Sequence, residues 1–344
     1  MEYKSMTYKL SHIIMNNKAI ILNNRPSGMP TASDFKLITE PIPQIGHGEI
    51  LLKTVYVSVD PYLRGKMSGT KTPRFELGAP LSSKIIAEVM ESKNENFSVG
   101  EHVSHYLDWK EYLVSNGEGL VKVEQTDAPL SAYLGVLGIT GLSAYFALLD
   151  IGKPKAGETL VVSGAAGAVG SIAGQIGKLM GCRVIGTAGT DEKVELLKTK
   201  FGFDEAINYK TTPDMKAAIA KACPNGVDIY FDNVGGPVSD AVIAHMNNYG
   251  RIPVCGSISN YNDTVEPMSP SLLPLVVYKF LTIQGFLIAD YAPRFLEGTA
   301  RLSSWLKEGK ITYSETILEG FDRLPEAFIG LFEGRNEGKM IVKI

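Results

Sequence analysis

The chain has 344 residues, 44% hydrophobic and 21% charged, with a formal net charge of -3, which is length enough for two domains with separate cores. This balance excludes a disordered chain and argues against a polybasic binder of nucleic acid or anionic membrane, leaving small-molecule chemistry as the expected class. Cys182, Cys223 and Cys255 are widely spaced and odd in number, as expected for reduced thiols in a cytoplasmic protein.

The opening MEYKSMTYKLSHIIM carries lysines but no apolar core of signal-peptide length, and residues 1–14 read as an extension ahead of the first strand. From residue 17 to 124 the runs KAIIL, FKLIT, EILLKTVYVSV, KIIAEVM, HVSHY, KEYLV and GLVKV alternate with Gly, Pro, Asn and Asp. That pattern predicts a compact β-barrel-like unit. Within TVYVSVDPYLRG, Tyr56 and Tyr62 are candidate substrate contacts, Asp60-Pro61 reads as a turn, and Arg64 is expected to pair with Asp60. His102 and His105, three apart on a predicted strand, point to opposite faces and form no metal pair.

From about Leu130 the pattern changes to alternating helices and strands, which predicts a doubly wound parallel sheet. The apolar stretches Gly135 to Leu149 and Ser271 to Ala289 are broken by glycines, or by Pro274, Lys279 and Gln284. They read as protein interior and not as membrane spans. Thr159 to Ser163 is a short apolar strand, followed by the turn Gly164, Ala165, Ala166, Gly167, Ala168, Val169, Gly170. A helix with apolar residues at Val169, Ile172, Ala173, Ile176, Leu179 and Met180 comes next, and Gly181 stops it before CRVIGTA. Glycines placed between strand and helix let backbone amides approach a pyrophosphate, so this segment predicts dinucleotide binding. PVSDAVIAHMNNYG is expected as a helix and RIPVCGS as a strand. Asn233 and Cys255 stand at strand ends on the carboxyl edge, where open sheets bind ligands. The chain ends in helix, strand, helix, strand (RLSSWLKEG, ITYSETI, PEAFIGLF, KMIVKI).

An acid near the end of the second strand, roughly 20 residues beyond the glycines, ordinarily holds the ribose hydroxyl of NAD. That place reads Thr187, Ala188, Gly189, Thr190. Zinc chemistry needs converging thiolate, imidazole or carboxylate ligands, yet no cysteine precedes Cys182 and GAPLSSKIIAEV has no histidine. No metal is expected.

The segments VDPYLRGKM, GAAGAVG, DEKVELLKTKFGFDEAINYK, GVDIYFDNVGG, GRIPVCGSISNYN and GRNEGKMIVK resemble the zinc-independent branch of the medium-chain dehydrogenase/reductase superfamily that contains prostaglandin reductase 1, alkenal double-bond reductases and curcumin reductase. The resemblance runs from about Asn17 to the last residue. It implies an α/β architecture in which a GroES-like catalytic domain (15–125) is completed by the C-terminal segment (292–344), with a Rossmann NADP-binding domain (126–291) between them. It implies homodimers, and NADPH held at its 2′-phosphate by Lys193 and Tyr209. It further implies contacts to the nicotinamide half or diphosphate from Asn233, Cys255, Gly256, Ser257, Phe286 and Asn336. Cys255 is not expected to act as a nucleophile.

Tyr261, in SISNYN, matches the family tyrosine near the substrate carbonyl and the nicotinamide ribose. The reaction implied is hydride transfer to the β-carbon of an α,β-unsaturated ketone or aldehyde, with the enolate oxygen stabilised by Tyr261 and the α-carbon protonated by Tyr261 or by solvent. Two rival readings are an NADPH quinone oxidoreductase and a non-enzymatic NADPH-binding protein.

Overall fold

The computed structural model describes residues 16–68, 74–124 and 128–344. The expected extension at 1–14 and the expected boundary at Gln125 lie outside these residues. The first half supplies β1 (Asn16–Leu22), β2 (Phe35–Pro41), β3 (Ile50–Ser58), the short α1 (Leu63–Met67), β4 (Ser82–Ser92), β5 (His102–Asp108), β6 (Tyr112–Ser115) and β7 (Val121–Lys122). Next come α2 (Ile139–Phe146), β8 (Thr159–Val162), α3 (Gly170–Leu179), β9 (Arg183–Ala188), α4 (Asp191–Thr199), β10 (Glu205–Asn208), α5 (Met215–Ala222), β11 (Val227–Phe231), α6 (Gly236–Ile243), β12 (Met246–Val254), α7 (Leu273–Lys279) and β13 (Thr282–Gly285). The chain closes with α8 (Phe295–Lys307), β14 (Glu315–Glu319), α9 (Leu324–Glu333) and β15 (Lys339–Lys343).

Strands β8 to β13 form one parallel sheet in the order β10-β9-β8-β11-β12-β13. Its centre is apolar because both faces are covered: Leu160 and Val162 face the core of α2, α3 and α8, while Val161, Ile185 and Tyr230 join Ile219 and Val242 on the other side. Local chemistry sets the helix starts. Thr190 Oγ1 accepts the Lys193 amide at the head of α4, and Asp214 accepts the Ala217 amide at the head of α5. The strand order reverses at β8, which has β9 on one side and β11 on the other, so a crevice opens at the carboxyl ends of β8 and β11.

The second sheet runs β14-β15-β3-β4-β5-β7, with β6 also on β3. Its last-named pair in sequence, β14 and β15, comes from the chain's C-terminal end, and β15 pairs antiparallel with β3. Inside it Trp109 is fully buried, with its indole N–H on Ser83 Oγ at 2.8 Å, among Leu52, Leu63, Leu81 and Phe328.

Two expectations are corrected here. The predicted helix PVSDAVIAHMNNYG stops at Ile243, and β12 begins at Met246. Asn247 turns its amide to Asn225 O and Asp228 instead of continuing the helix, and the pairing of β11 with β12 slips between Val227 and Ile229, with Tyr249 at φ 62. The apolar stretch Ser271 to Ala289 is only partly interior: Leu281 is buried and Leu275, Val276, Phe286 and Ile288 pack against the cores. Leu273, Val277, Tyr278 and Leu287, by contrast, are 74%, 65%, 79% and 72% exposed, because among the described residues no further layer covers the outer side of α7 and the edge strand β13. Gly135 to Leu149 is buried as expected, with Leu142, Phe146 and Leu148 in the core.

Candidate active site

The turn after β8 is shaped by its glycines. Gly164 has φ 57, and a Cβ on Gly170 would stand 2.5 Å from Gly164 O, so neither position admits a side chain without distortion. Gly167 N–H bonds Gly164 O at 3.0 Å, and Ala165 N–H bonds Thr187 O at 3.0 Å, which pins the turn to the end of β9. Of the first amides of α3, Ser171 N–H is taken by Gly167 O and Ala173 N–H by Val169 O, so an anion such as a pyrophosphate would be met by the other amides of the turn together with the helix dipole.

At the adenosine end, the tip of β9 carries no free acid. Asp191 Oδ1 accepts from Asn208 Nδ2 at 2.7 Å. A Cβ on Gly189 would lie 3.0 Å from the Tyr209 hydroxyl and 3.2 Å from Lys210 Cε. Lys193 is partly buried, which lowers its pKa, while Glu337 opposes that effect and Lys210 adds to it. Lys193, Tyr209 and Lys210 therefore share one rim, a donor set that suits a phosphate monoester. Lys210 was missed from the sequence, although it directly follows Tyr209 in NYK. Lys193 Nζ donates to Gly334 O at 2.7 Å across 141 residues of chain. That contact brings in the C-terminal segment, where Asn336 Nδ2 holds Gly338 O at 2.8 Å and Gly338 N–H bonds Ala166 O at 2.8 Å. The glycine turn and Asn336 thus belong to one surface.

Asp232, at the end of β11, organises the crevice floor and was not singled out from the sequence. Its buried carboxylate accepts from Ser163 Oγ (2.9 Å), Tyr230 OH (2.9 Å), Ser239 Oγ (2.6 Å), Val234 N–H (2.9 Å) and Gly235 N–H (3.0 Å). The sequence signal was an acid closing an apolar strand directly before NVGG. Asn233 sits over β8, its N–H on Ser163 Oγ at 2.9 Å and its side-chain amide on Ser163 O at 2.8 Å. Asp232 O also accepts the Cys255 and Gly256 amides at 2.7 and 3.2 Å, so β11 and β12 deliver Asn233 and Cys255–Ser257 side by side. Burial, with a smaller contribution from Asp232, pushes the Cys255 thiol up to about 12. Phe286 packs beside Cys255 on the same core face, edge-on to Tyr291 with ring centroids 6.4 Å apart.

Tyr261 follows a short helical turn, and its hydroxyl accepts the Ser257 N–H at 3.4 Å. Burial raises its pKa, so the phenol stays protonated at neutral pH.

Facing this loop is the segment after β3. The expected Arg64–Asp60 pair does not form. Asp60 instead pairs with the buried Lys339 at 3.0 Å, and Lys339 Nζ also donates to Val59 O (2.8 Å) and Met340 O (3.0 Å). A buried ammonium needs a near, fixed anion, and β15 carries Lys339 to one that sequence distance hid. Arg64 donates to Pro26 O (3.1 Å), Gly28 O (2.9 Å) and, across the cleft, Asn262 Oδ1 (3.0 Å). Residues 60–64 are thus fixed at one end to Lys339, which follows the Gly338 bridge to the glycine turn, and at the other to the neighbour of Tyr261. Tyr62 lies between these anchors and is 36% exposed. Tyr56 is half-buried and packs with Tyr133 against the cluster of Ile86, Leu134 and Ile341. Among the described residues no group of three or more His, Cys, Asp or Glu side chains converges in a way that can hold a metal ion.

Comparison with known proteins agrees with this geometry. Residues 18–123 match a family described as the N-terminal domain of oxidoreductase, and residues 168–304 match one described as zinc-binding dehydrogenase. The chain is 43% identical over 335 residues to the NADPH-dependent curcumin reductase of Escherichia coli, covering 95% of this chain and 97% of that protein. It is 41% identical over 341 residues to the NADP(+)-dependent 2-alkenal reductase of Nicotiana tabacum, covering 96% and 98%. The crystal structure of CurA from Vibrio vulnificus in complex with NADPH superposes with a TM-score of 0.91 at 45% identity, covering 95% of this chain and 98% of that one. With two family matches, relatives similar over nearly their whole length and the same α/β architecture, the chain belongs to the zinc-independent medium-chain dehydrogenase/reductase family of double-bond reductases.

Proposed function

We propose that this chain reduces the carbon–carbon double bond of α,β-unsaturated ketones and aldehydes with NADPH. The observation that carries the reading is the protonated Tyr261 phenol at the carboxyl edge of β12, beside Gly256 and Ser257 and opposite the Tyr62 segment. The amides of the glycine turn would hold the diphosphate, and Lys193, Tyr209 and Lys210 the 2′-phosphate. Asn233, Cys255–Ser257, Phe286 and Asn336 would surround the nicotinamide half. When bound, NADPH supplies the hydride. Tyr261 then donates a hydrogen bond to the substrate oxygen, on which negative charge gathers as the β-carbon is reduced; a donor fixed there in advance contributes about 3–4 kcal/mol. A phenol held above its ordinary pKa remains able to give its proton to the α-carbon or to hand that step to solvent. Tyr62 is the better placed of the two predicted substrate contacts, since Tyr56 is engaged in packing.

The exposed apolar surface of α7 and β13 supports a homodimer. A parallel-sheet edge with open hydrogen-bonding groups beside Leu273, Val277, Tyr278, Phe280 and Leu287 favours a second copy over water. No helix among the described residues is long and apolar enough to cross a membrane, and the free, buried Cys182 and Cys223 fit a reducing cytoplasm. The test of function is loss of NADPH absorbance against a panel of enones, enals and quinones, with product identification. A saturated carbonyl supports the proposal. Consumption with quinones alone, or tight NADPH binding without any turnover, rejects it.

A further inference from the structure

Four side chains on and beside the Tyr62 segment form a cluster of which the double-bond reading uses Tyr62 alone. Lys66 Nζ lies 5.7 Å from the Tyr62 ring centroid and 5.4 Å from that of Phe75. On the neighbouring sheet, Lys84 in β4 pairs across the ladder with Tyr106 in β5, and Lys84 Nζ lies 5.4 Å from the Tyr106 ring centroid. The Tyr62 and Tyr106 phenols interact with each other, which joins the two halves into the series Lys66, Tyr62, Tyr106, Lys84. Both ammonium groups are partly buried, and burial lowers the pKa of each. Among the described residues neither has a carboxylate partner. Of the nearby acids, Asp60 is taken by Lys339 and by Ser58 Oγ, and Asp34, which faces Arg64, accepts from the Thr31 N–H and hydroxyl. Arg64 adds a further cation, directed at two carbonyls and Asn262. This corner of a chain whose net charge is -3 is therefore locally positive and still reachable, since Tyr62 and Tyr106 are 36% and 44% exposed.

We infer that Lys66, Lys84 and the Tyr62–Tyr106 phenols form a subsite for the carboxylate of an enone or enal substrate whose reactive end lies at Tyr261. Two partly dehydrated ammonium groups gain most from an anion that brings its own charge, and two phenols supply neutral donors to the remaining carboxylate lone pairs. The Arg64–Asn262 contact keeps this corner next to the Tyr261 loop, so one elongated substrate can reach both. The inference rests on the enone reading above and narrows it to acid-bearing substrates.

The experiment compares a straight-chain enone ending in a carboxylate with its methyl ester, using the wild-type protein with NADPH and the Lys66→Gln/Lys84→Gln variant. The acid is expected to exceed the ester about tenfold in kcat/KM, mainly through KM, at low salt. That ratio should shrink as ionic strength rises and fall to about one in the double variant. Equal kcat/KM for acid and ester in the wild type, or a ratio unchanged in the variant, overturns the subsite. Ester turnover tests the enone reading independently. Should neither compound be reduced, that reading fails, and calorimetric binding of the saturated keto acid against its ester to the NADP-loaded protein decides the subsite: tighter acid binding that the variant loses upholds it, and equal binding rejects it. Melting temperatures of both proteins confirm that the variant is folded.

Discussion

The two walls of the cleft are built in different ways. The cofactor wall is mostly backbone: strand ends, a glycine turn and helix amides, trimmed by a few side chains such as Asp232 and Lys193. The substrate wall is mostly side chains gathered from distant stretches: Asp60 to Lys66, Lys84, Tyr106, Asn262 and Lys339. A site made of backbone leaves a local trace, because glycine spacing and strand–helix alternation are its direct requirements. A site made of converging side chains leaves none. The contrast predicts that lesions on the substrate wall cost folding or turnover, while lesions on the cofactor wall change nucleotide choice.

The largest effect is expected at the buried pair that anchors the substrate wall. Lys339→Met leaves Asp60 buried without its partner and should cost about 3–5 kcal/mol of stability, read as a shift of the denaturant midpoint; a loss under 1 kcal/mol would show that the pair is dispensable. Tyr261→Phe should lower kcat about a hundredfold, or about 2.7 kcal/mol, with NADPH affinity unchanged; unaltered turnover removes Tyr261 from the chemistry. On the cofactor wall, Lys193→Ala should raise KM about tenfold for NADPH and less than twofold for NADH, as expected for a lost charge-assisted phosphate contact. Equal changes for both nucleotides would contradict the assignment. Because burial raises the Tyr261 pKa, its proton is retained beyond the ordinary phenol range, so kcat should show no fall on the alkaline side below about pH 9. A decline centred near neutrality would mean that another group titrates. The smallest effect is expected at Cys255: a thiol pushed up to about 12 is almost entirely protonated at pH 7, so iodoacetamide should leave activity intact.

Legibility in the sequence follows the same division. The parallel sheet and the Gly164–Gly170 turn were readable because their strands are apolar on both faces and their glycines sit where backbone must approach backbone. Tyr209 could be proposed, but its neighbour Lys210 was overlooked because nothing in NYK distinguishes a ligand-facing lysine from a solvated one. The Arg64–Asp60 pair was expected from proximity in the chain, whereas Asp60 found Lys339, 279 residues away. Two apolar stretches carry a parallel lesson. Gly135 to Leu149 and Ser271 to Ala289 are both apolar, yet the first is covered by α3 and α8 while the second turns only part of its side chains inward and leaves Leu273, Val277, Tyr278 and Leu287 facing outward. Hydropathy states that a surface must be covered and does not state by which chain. Light scattering on the purified protein should give the mass of a dimer, and Val277→Glu should shift it toward the monomer.

The most direct test of the central claim is a single-turnover reaction of the protein with NADPH deuterated at the transferable C4 position and a simple enone. The account predicts a saturated ketone bearing one deuterium on the β-carbon, formed about a hundredfold more slowly by Tyr261→Phe. An allylic alcohol with deuterium on the carbonyl carbon, or no transfer at all, would contradict it.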